Sequence, residues 1–253
     1  MPLLPRRPSP HVALQVAASI AALLLFLPLA AQAADEDLID ADRPGIADGS
    51  KTLKRAHFQI EIGFDREDRS DDQTLKFPLL LRYGFSDRFE FRVESDTHER
   101  EKIAHATSTG WNPLSAGFKY HLVDQQEISL GVIGRWFPPS GSGEFHSDHS
   151  SGDVRLAADL EFGDHWSINP NLGVQRDESS ATSGTGALTL QYNITKKSNV
   201  FVDGGVQRGE VLLDAGAAWI LSSDVQFDAS VGRGAHGSNT PKLFWGAGVS
   251  RRF

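Results

Sequence analysis

Residues 74–96, TLKFPLLLRYGFSDRFEFRVESD, alternate apolar and polar side chains on both sides of a short break. Leu75, Phe77, Leu79, Leu81 and Tyr83 interleave with Thr74, Lys76, Pro78, Leu80 and Arg82. After Gly84-Phe85-Ser86-Asp87, Phe89, Phe91 and Val93 interleave with Glu90, Arg92 and Glu94. A period of two on each side of a tight turn specifies a β-hairpin, because successive strand side chains point to opposite faces. Each arm is about ten residues long, near the upper end for soluble strands and close to what a tilted strand needs to cross a bilayer. One face is apolar and the other carries full charges.

The same alternation fills most of the chain downstream of residue 57. Phe58 to Phe64 gives a strand before the hairpin. After it come strands over 114–122, 128–136, 154–162, 166–174, 188–194, 200–206, 213–219, 225–231 and 245–253. These runs predict about twelve strands, an even number. Short joins at 84–87, 123–125, 163–164, 195–198 and 221–223 alternate with longer ones at 67–73, 99–111, 137–151, 177–183 and 234–242. That is the order of periplasmic turns and extracellular loops in an outer-membrane barrel. Arg208-Gly209-Glu210 falls where a long loop is expected and reads as a clipped one.

Alternation alone does not decide whether the apolar face meets a soluble core or lipid. Aromatic residues favour lipid. Phe58, Tyr83, Phe89, Tyr120, Phe162, Trp166, Tyr192, Trp219 and Phe253 fall at the short-turn ends, where one interfacial girdle belongs. Trp111, Trp136, Phe137 and Trp245 fall near the other ends. The chain closes on an amphipathic strand ending in Phe253, like the terminal signature of proteins delivered to the outer-membrane assembly machinery. The predicted fold is all-β: an antiparallel up-and-down transmembrane barrel over 57–253, with both termini periplasmic, in a bacterial outer membrane.

Upstream, Arg6 and Arg7 precede an apolar run to Leu29, and Ala31-Gln32-Ala33 fits a cleavage site, so 1–33 reads as a secretory signal peptide. Residues 34–56 show no period and carry acids, Pro44 and glycines. They form a periplasmic lead-in or a segment folded into the barrel mouth as a plug. Without 1–33, 23 basic residues face 33 acidic ones, a net charge of −10 unsuited to nucleic acid. No cysteine is present, which excludes disulfides and thiolate metal sites.

Asp42-Arg43-Pro44-Gly45, His57 to Phe64, and Phe77 to Gly84 with Asp87 to Arg92 resemble the N-terminal half of the outer-membrane transporters of the MetA-pathway of phenol degradation family. That resemblance implies an outer-membrane barrel that moves small compounds, among them aromatic or apolar ones.

The polar strand positions define the expected lining of a channel: Glu61, Lys76, Arg82, Glu90, Arg92, Glu94, Arg155, Asp159, Asp203, Asp214 and Asp228. Charges of both signs there either select permeants or pair into a salt-bridged plug. Asp203, Asp214 and Asp228 share three successive strands without a base, which predicts an acidic wall facing Arg82, Arg92 and Arg155. His146 and His149, flanking Asp148, have metal-capable spacing but sit in a Gly/Ser-rich loop, so no metal or cofactor is assigned. No Gly-x-Ser-x-Gly elbow, P-loop or HExxH occurs. The chain reads as a non-enzymatic channel or transporter whose partners are outer-membrane lipid, the assembly machinery and a small permeant. The alternatives are a lipid-acting barrel enzyme and a structural or adhesive barrel with a plugged lumen.

Overall fold

The computed structural model describes residues 37–253, apart from 71, 104, 105 and 126. The predicted leader, 1–33, lies outside the described residues. Thirteen strands form one antiparallel sheet: β1 (Phe58–Arg69), β2 (Asp72–Ser86), β3 (Phe89–Ile103), β4 (Ala106–Gly110), β5 (Ala116–Gln125), β6 (Ile128–Phe137), β7 (Ser151–Phe162), β8 (Trp166–Arg176), β9 (Thr182–Thr195), β10 (Ser198–Gln207), β11 (Glu210–Ser222), β12 (Val225–His236) and β13 (Leu243–Arg252). β1 pairs with β2 on one side and β13 on the other, so the sheet closes on itself. Twelve strands make the wall, with neighbours in sequence order, and no edge is left open to hydrocarbon.

The predicted hairpin is β2 and β3, with Leu81 opposite Val93 and Arg82 opposite Arg92. One connection differs from the sequence expectation, and the clipped join at 208–210 matches it. Residues 99–111 are not a plain loop: β3 runs on to Ile103, and β4 returns along it from Ala106 to Gly110. Thr107, Ser108 and Thr109 are polar on both faces of this ribbon, so no alternation marks it, and the backbone ladder alone makes it a strand. The join at 208–209 is a two-residue turn closed by the Gln207–Glu210 pair. Arg208 and Gly209 both have positive φ, 51° and 80°. That is the type I′ geometry whose twist matches a hairpin, and glycine adopts it without strain.

β3 meets β5 over only four residue pairs, Phe89 to Arg92 against Gly117 to Tyr120. Above them, segment 111–115 is tied to β3 through Ser115 N to Glu94 O at 2.8 Å and Asn112 Nδ2 to Asp96 O at 3.0 Å.

The wall is inside-out relative to a soluble domain. Leu172 is 70% exposed and Trp219 65% on the outer face, whereas Glu61, Glu90 and Lys119 are fully buried within. Aromatic pairs band the outer surface near the short-turn end, with Phe89 stacked on Phe118 at 5.9 Å and Trp166 against Tyr192 at 4.8 Å. Towards the long-loop end Phe64 packs on Trp245 at 5.5 Å. An apolar belt between aromatic rims is what a lipid bilayer solvates, and closure removes the open sheet edge that hydrocarbon would penalise.

Candidate functional site

Period two sends Glu61, Arg82, Glu90, Arg92, Lys119, Arg135 and Arg155 into the barrel from β1, β2, β3, β5, β6 and β7. Burying that many charges is costly unless each is paired and hydrogen-bonded. The wall supplies part of the pairing as a chain of alternating sign. Arg82 bonds Glu61 at 3.1 Å and Glu90 at 2.8 Å, and Arg92 lies 3.6 Å from Glu90 and 3.8 Å from Glu94. Arg135 then reaches Glu94 and Asp153, each at 3.4 Å, and Arg155 reaches Asp153 at 2.7 Å.

The rest comes from residues 38–56, which carry no regular secondary structure and make a circuit of the interior. Ile39 N starts it on Ser223 O at 2.7 Å. The Asp42 and Arg43 amides donate to Glu61 at 3.3 and 3.0 Å, and the Ile46 amide donates to Asp203 Oδ2 at 2.7 Å. The Ser50 amide and hydroxyl both donate to Asp159 Oδ2, at 3.0 and 2.6 Å. The Leu53 amide donates to Glu90 Oε2 at 2.8 Å, and Ala56 N closes the circuit on Gly84 O at 2.7 Å. Wall carboxylates thus satisfy amides that have no strand partner.

Two carboxylates of this segment sit among the wall bases. Asp42 accepts from Lys119 Nζ at 3.0 and 2.9 Å, contacts Arg92 Nη1 closely, and lies 3.7 Å from Arg82. Asp48 accepts from Arg135 Nη2 at 2.5 Å and lies 3.4 Å from Arg92 and 3.5 Å from Arg155. Burial pushes the Asp42 carboxyl up, but Arg82, Lys119 and Arg92 outweigh it and hold it well below 3.8. Asp48 is likewise lowered, with Arg135, Arg92 and Arg155 overcoming burial. The Gly49 amide donates to Asp42 Oδ1 at 3.2 Å, drawing 42–49 into a small loop. Glycine makes room for it: a Cβ at Gly205 would lie 2.6 Å from Ile46 Cγ2, and one at Gly131 would run into the Ser50 carbonyl.

All eleven predicted lining residues have their strand positions on the interior face, and each is buried or half-buried. They divide into two arcs. Arg82, Arg92 and Arg155 belong to the charged arc of β1 to β7. Asp203, Asp214 and Asp228 belong to β10, β11 and β12, with Asp203 directly opposite Asp214 in register. Among the described residues no ion pair joins the two arcs directly. Asp228 instead meets Arg43 of the segment at 3.5 Å. Lys76 pairs with Glu67 at 2.7 Å, nearer the long-loop end.

Sequence reasoning did not single out Asp42, Asp48, Ser50, Asn171 or Lys119 as a cluster. It also passed over Phe201, which points inward and is 6% exposed. Clefts of about 680 Å3, over Arg135, Asp153 and Gln175, and about 330 Å3, between Lys51, Glu127 and Glu161, lie at the two rims. His146 Nε2 lies 3.3 Å from Asp148 in the outer loop. Among the described residues no group of three or more His, Asp or Glu is placed to hold a metal ion.

The sequence model of the family described as "Putative MetA-pathway of phenol degradation" matches residues 41–253. The COG4313 outer membrane channel from Pseudomonas putida F1 shares the fold with a TM-score of 0.63 at 14% identity, over 83% of this chain and 99% of that one. The KdgM porin matches with a TM-score of 0.56 at 14% identity, over 77% of this chain and 99% of that one. A comparison with curated proteins returned no match. The shared fold and the apolar outer belt place the protein in a bacterial outer membrane.

Proposed function

This chain belongs to the MetA-pathway of phenol degradation family, and from that premise we propose that it is an outer-membrane channel or transporter for small molecules. Aromatic or apolar compounds are the substrate class that the family's description points to. The observation that carries this reading is a polar interior running through an apolar shell and closed midway by a segment without strand pairing. Residues 38–56 hold to the wall through side chains and scattered amides, so they can leave without breaking the barrel ladder. They are a plug, and the eleven interior residues, from Glu61 to Asp228, line the path it obstructs.

Ile39 and Phe253 lie at the short-turn end, which is the periplasmic side in this reading, and the loops at 137–151 and 177–181 face outward. Phe253, just past the closing strand, is the handle for the assembly machinery, and membrane lipid and a small permeant are the other partners. The protein has no catalytic role in this reading.

Planar-bilayer recording of the folded full chain tests it. Wild type is expected to conduct in small steps and the D42N/D48N double variant in larger ones, because its plug loses both carboxylates. The density of ion pairs around the plug favours one rival, a structural barrel whose lumen never opens. Folded wild type and variant that both fail to conduct or pass solute establish that rival instead.

A further inference from the structure

The wall's own ion pairs leave one base over beside the plug. Arg82, Arg92, Arg135 and Arg155 alternate with Glu61, Glu90, Glu94 and Asp153, one acid for each arginine. Lys119 stands outside that chain. It is fully buried, and among the described residues its ion-pair partner is Asp42 alone, to whose two carboxylate oxygens it donates. The anion that neutralises Lys119 therefore arrives on the movable segment and leaves with it. When Asp42 leaves, the nearest wall acid is Glu90, opposite Lys119 in register and already engaged by Arg82, so the buried ammonium group is left undercompensated, which is unfavourable.

We infer that the place held by the Asp42 carboxylate, between Lys119 Nζ and Arg92 Nη1, is a binding site for the carboxylate of a small organic acid, which displaces the plug by taking it over. The inference rests on the channel reading above and adds a substrate class to it. The geometry suits a carboxylate. Lys119 donates to both Asp42 oxygens, and Arg92 adds a second cation at one of them, so the site offers paired donors to a planar anion. A neutral compound of the same size brings no charge to offset Lys119 and Arg92 and cannot accept from both through two anionic oxygens. An acid that enters releases the segment and neutralises the lysine in one exchange, whereas the uncharged analogue must open the plug against the unpaired charge. Discrimination of that kind follows from the penalty on an unpaired buried group.

The chain has no cysteine, so A47C gives a single thiol in the loop of the plug, at a position 8% exposed when the segment is seated. The full-length variant in liposomes is labelled with a charged maleimide in benzoate or in benzyl alcohol, at constant chloride and ionic strength. A ligand that binds only the released state raises its population in proportion to concentration over dissociation constant. At ten dissociation constants benzoate is expected to speed labelling about tenfold. Benzyl alcohol is expected to leave the rate unchanged. K119M is expected to abolish the benzoate response. D42N, which alters no wall residue, is expected to label fast without benzoate and to gain nothing from it. Labelling insensitive to benzoate in a chain that conducts overturns the carboxylate site and leaves the channel standing. Benzoate-sensitive labelling in a chain that never conducts supports the site and overturns the channel.

Discussion

Asp48 and Asn171 exchange two hydrogen bonds, the Asp48 amide donating to Asn171 Oδ1 and Asn171 Nδ2 donating to the Asp48 carbonyl, both at 2.9 Å. A carboxamide here does what a neighbouring strand would do, pairing both backbone groups of one residue in the middle of the lumen. Asn171 is 1% exposed, so water is a poor substitute. Asn171→Leu keeps the branched shape and removes both bonds. Each stranded group costs about 1–3 kcal/mol, so seating should weaken by on the order of 2 kcal/mol, or more than tenfold in the released fraction. Labelling of A47C in the N171L background measures it. A rate equal to that of the parent would show that the pair contributes nothing.

Gly131 tests the same contact from the wall. The Ser50 carbonyl rests where a Cβ would stand, while valine is a good strand former. G131V should therefore leave the barrel's heat-modifiable gel mobility unchanged and raise its conductance, because only the plug has to move. Unchanged conductance from a folded G131V barrel would mean that the segment reseats elsewhere without opening a path.

Acid should release the plug, and the sign follows from the lowered carboxyls of Asp42 and Asp48, which lie outside the spanning strands. Both are held below 3.8 when seated and return toward that value when released, so the released state binds more protons at low pH. The stabilisation is fully present above about pH 4 and is lost as pH falls through the depressed values. Conductance should rise below about pH 4, and D42N/D48N should lose that rise; between about pH 6 and 4 the Asp40 carboxyl of the same segment, pushed up to about 6 by burial, works the other way, since its protonation favours the seated state. A conductance that climbs between pH 8 and 5 would assign the gate to other groups.

The barrel was legible because lipid imposes a strict rule on each strand: Phe77, Leu79 and Leu81 must alternate with Lys76 and Arg82 whatever the neighbours are. The plug obeys no such period. Asp42 is held from β2, β3 and β5, by residues 40 to 77 positions away, and nothing local to Asp42-Arg43-Pro44-Gly45 indicates which wall bases it meets. Sequence placed Arg82 and Arg92 inside but left open whether their counterions were permeant-selecting wall charges or a plug. The register supplies what was missing, since it sets Lys119 opposite Glu90, whose carboxylate Arg82 already engages, and Lys119 takes Asp42 instead. β4 was invisible for a related reason: Thr107 to Thr109 are polar on both faces, so no alternation marks them.

The outward face carries its own test at Leu172, which stands in mid-strand between Leu156 and Gly186 and is 70% exposed. In water that exposure is unremarkable, and Leu172→Arg would shift stability by roughly 0.5 kcal/mol at most. Facing hydrocarbon near the midplane, an arginine costs about 2–4 kcal/mol. Urea unfolding of L172R in lipid vesicles should therefore fall to a distinctly lower midpoint than wild type. The variant should keep wild-type conductance while folded, because the side chain points away from Asn171 and the plug. Equal midpoints would remove Leu172 from the bilayer and reopen the choice between lipid and water for the apolar face.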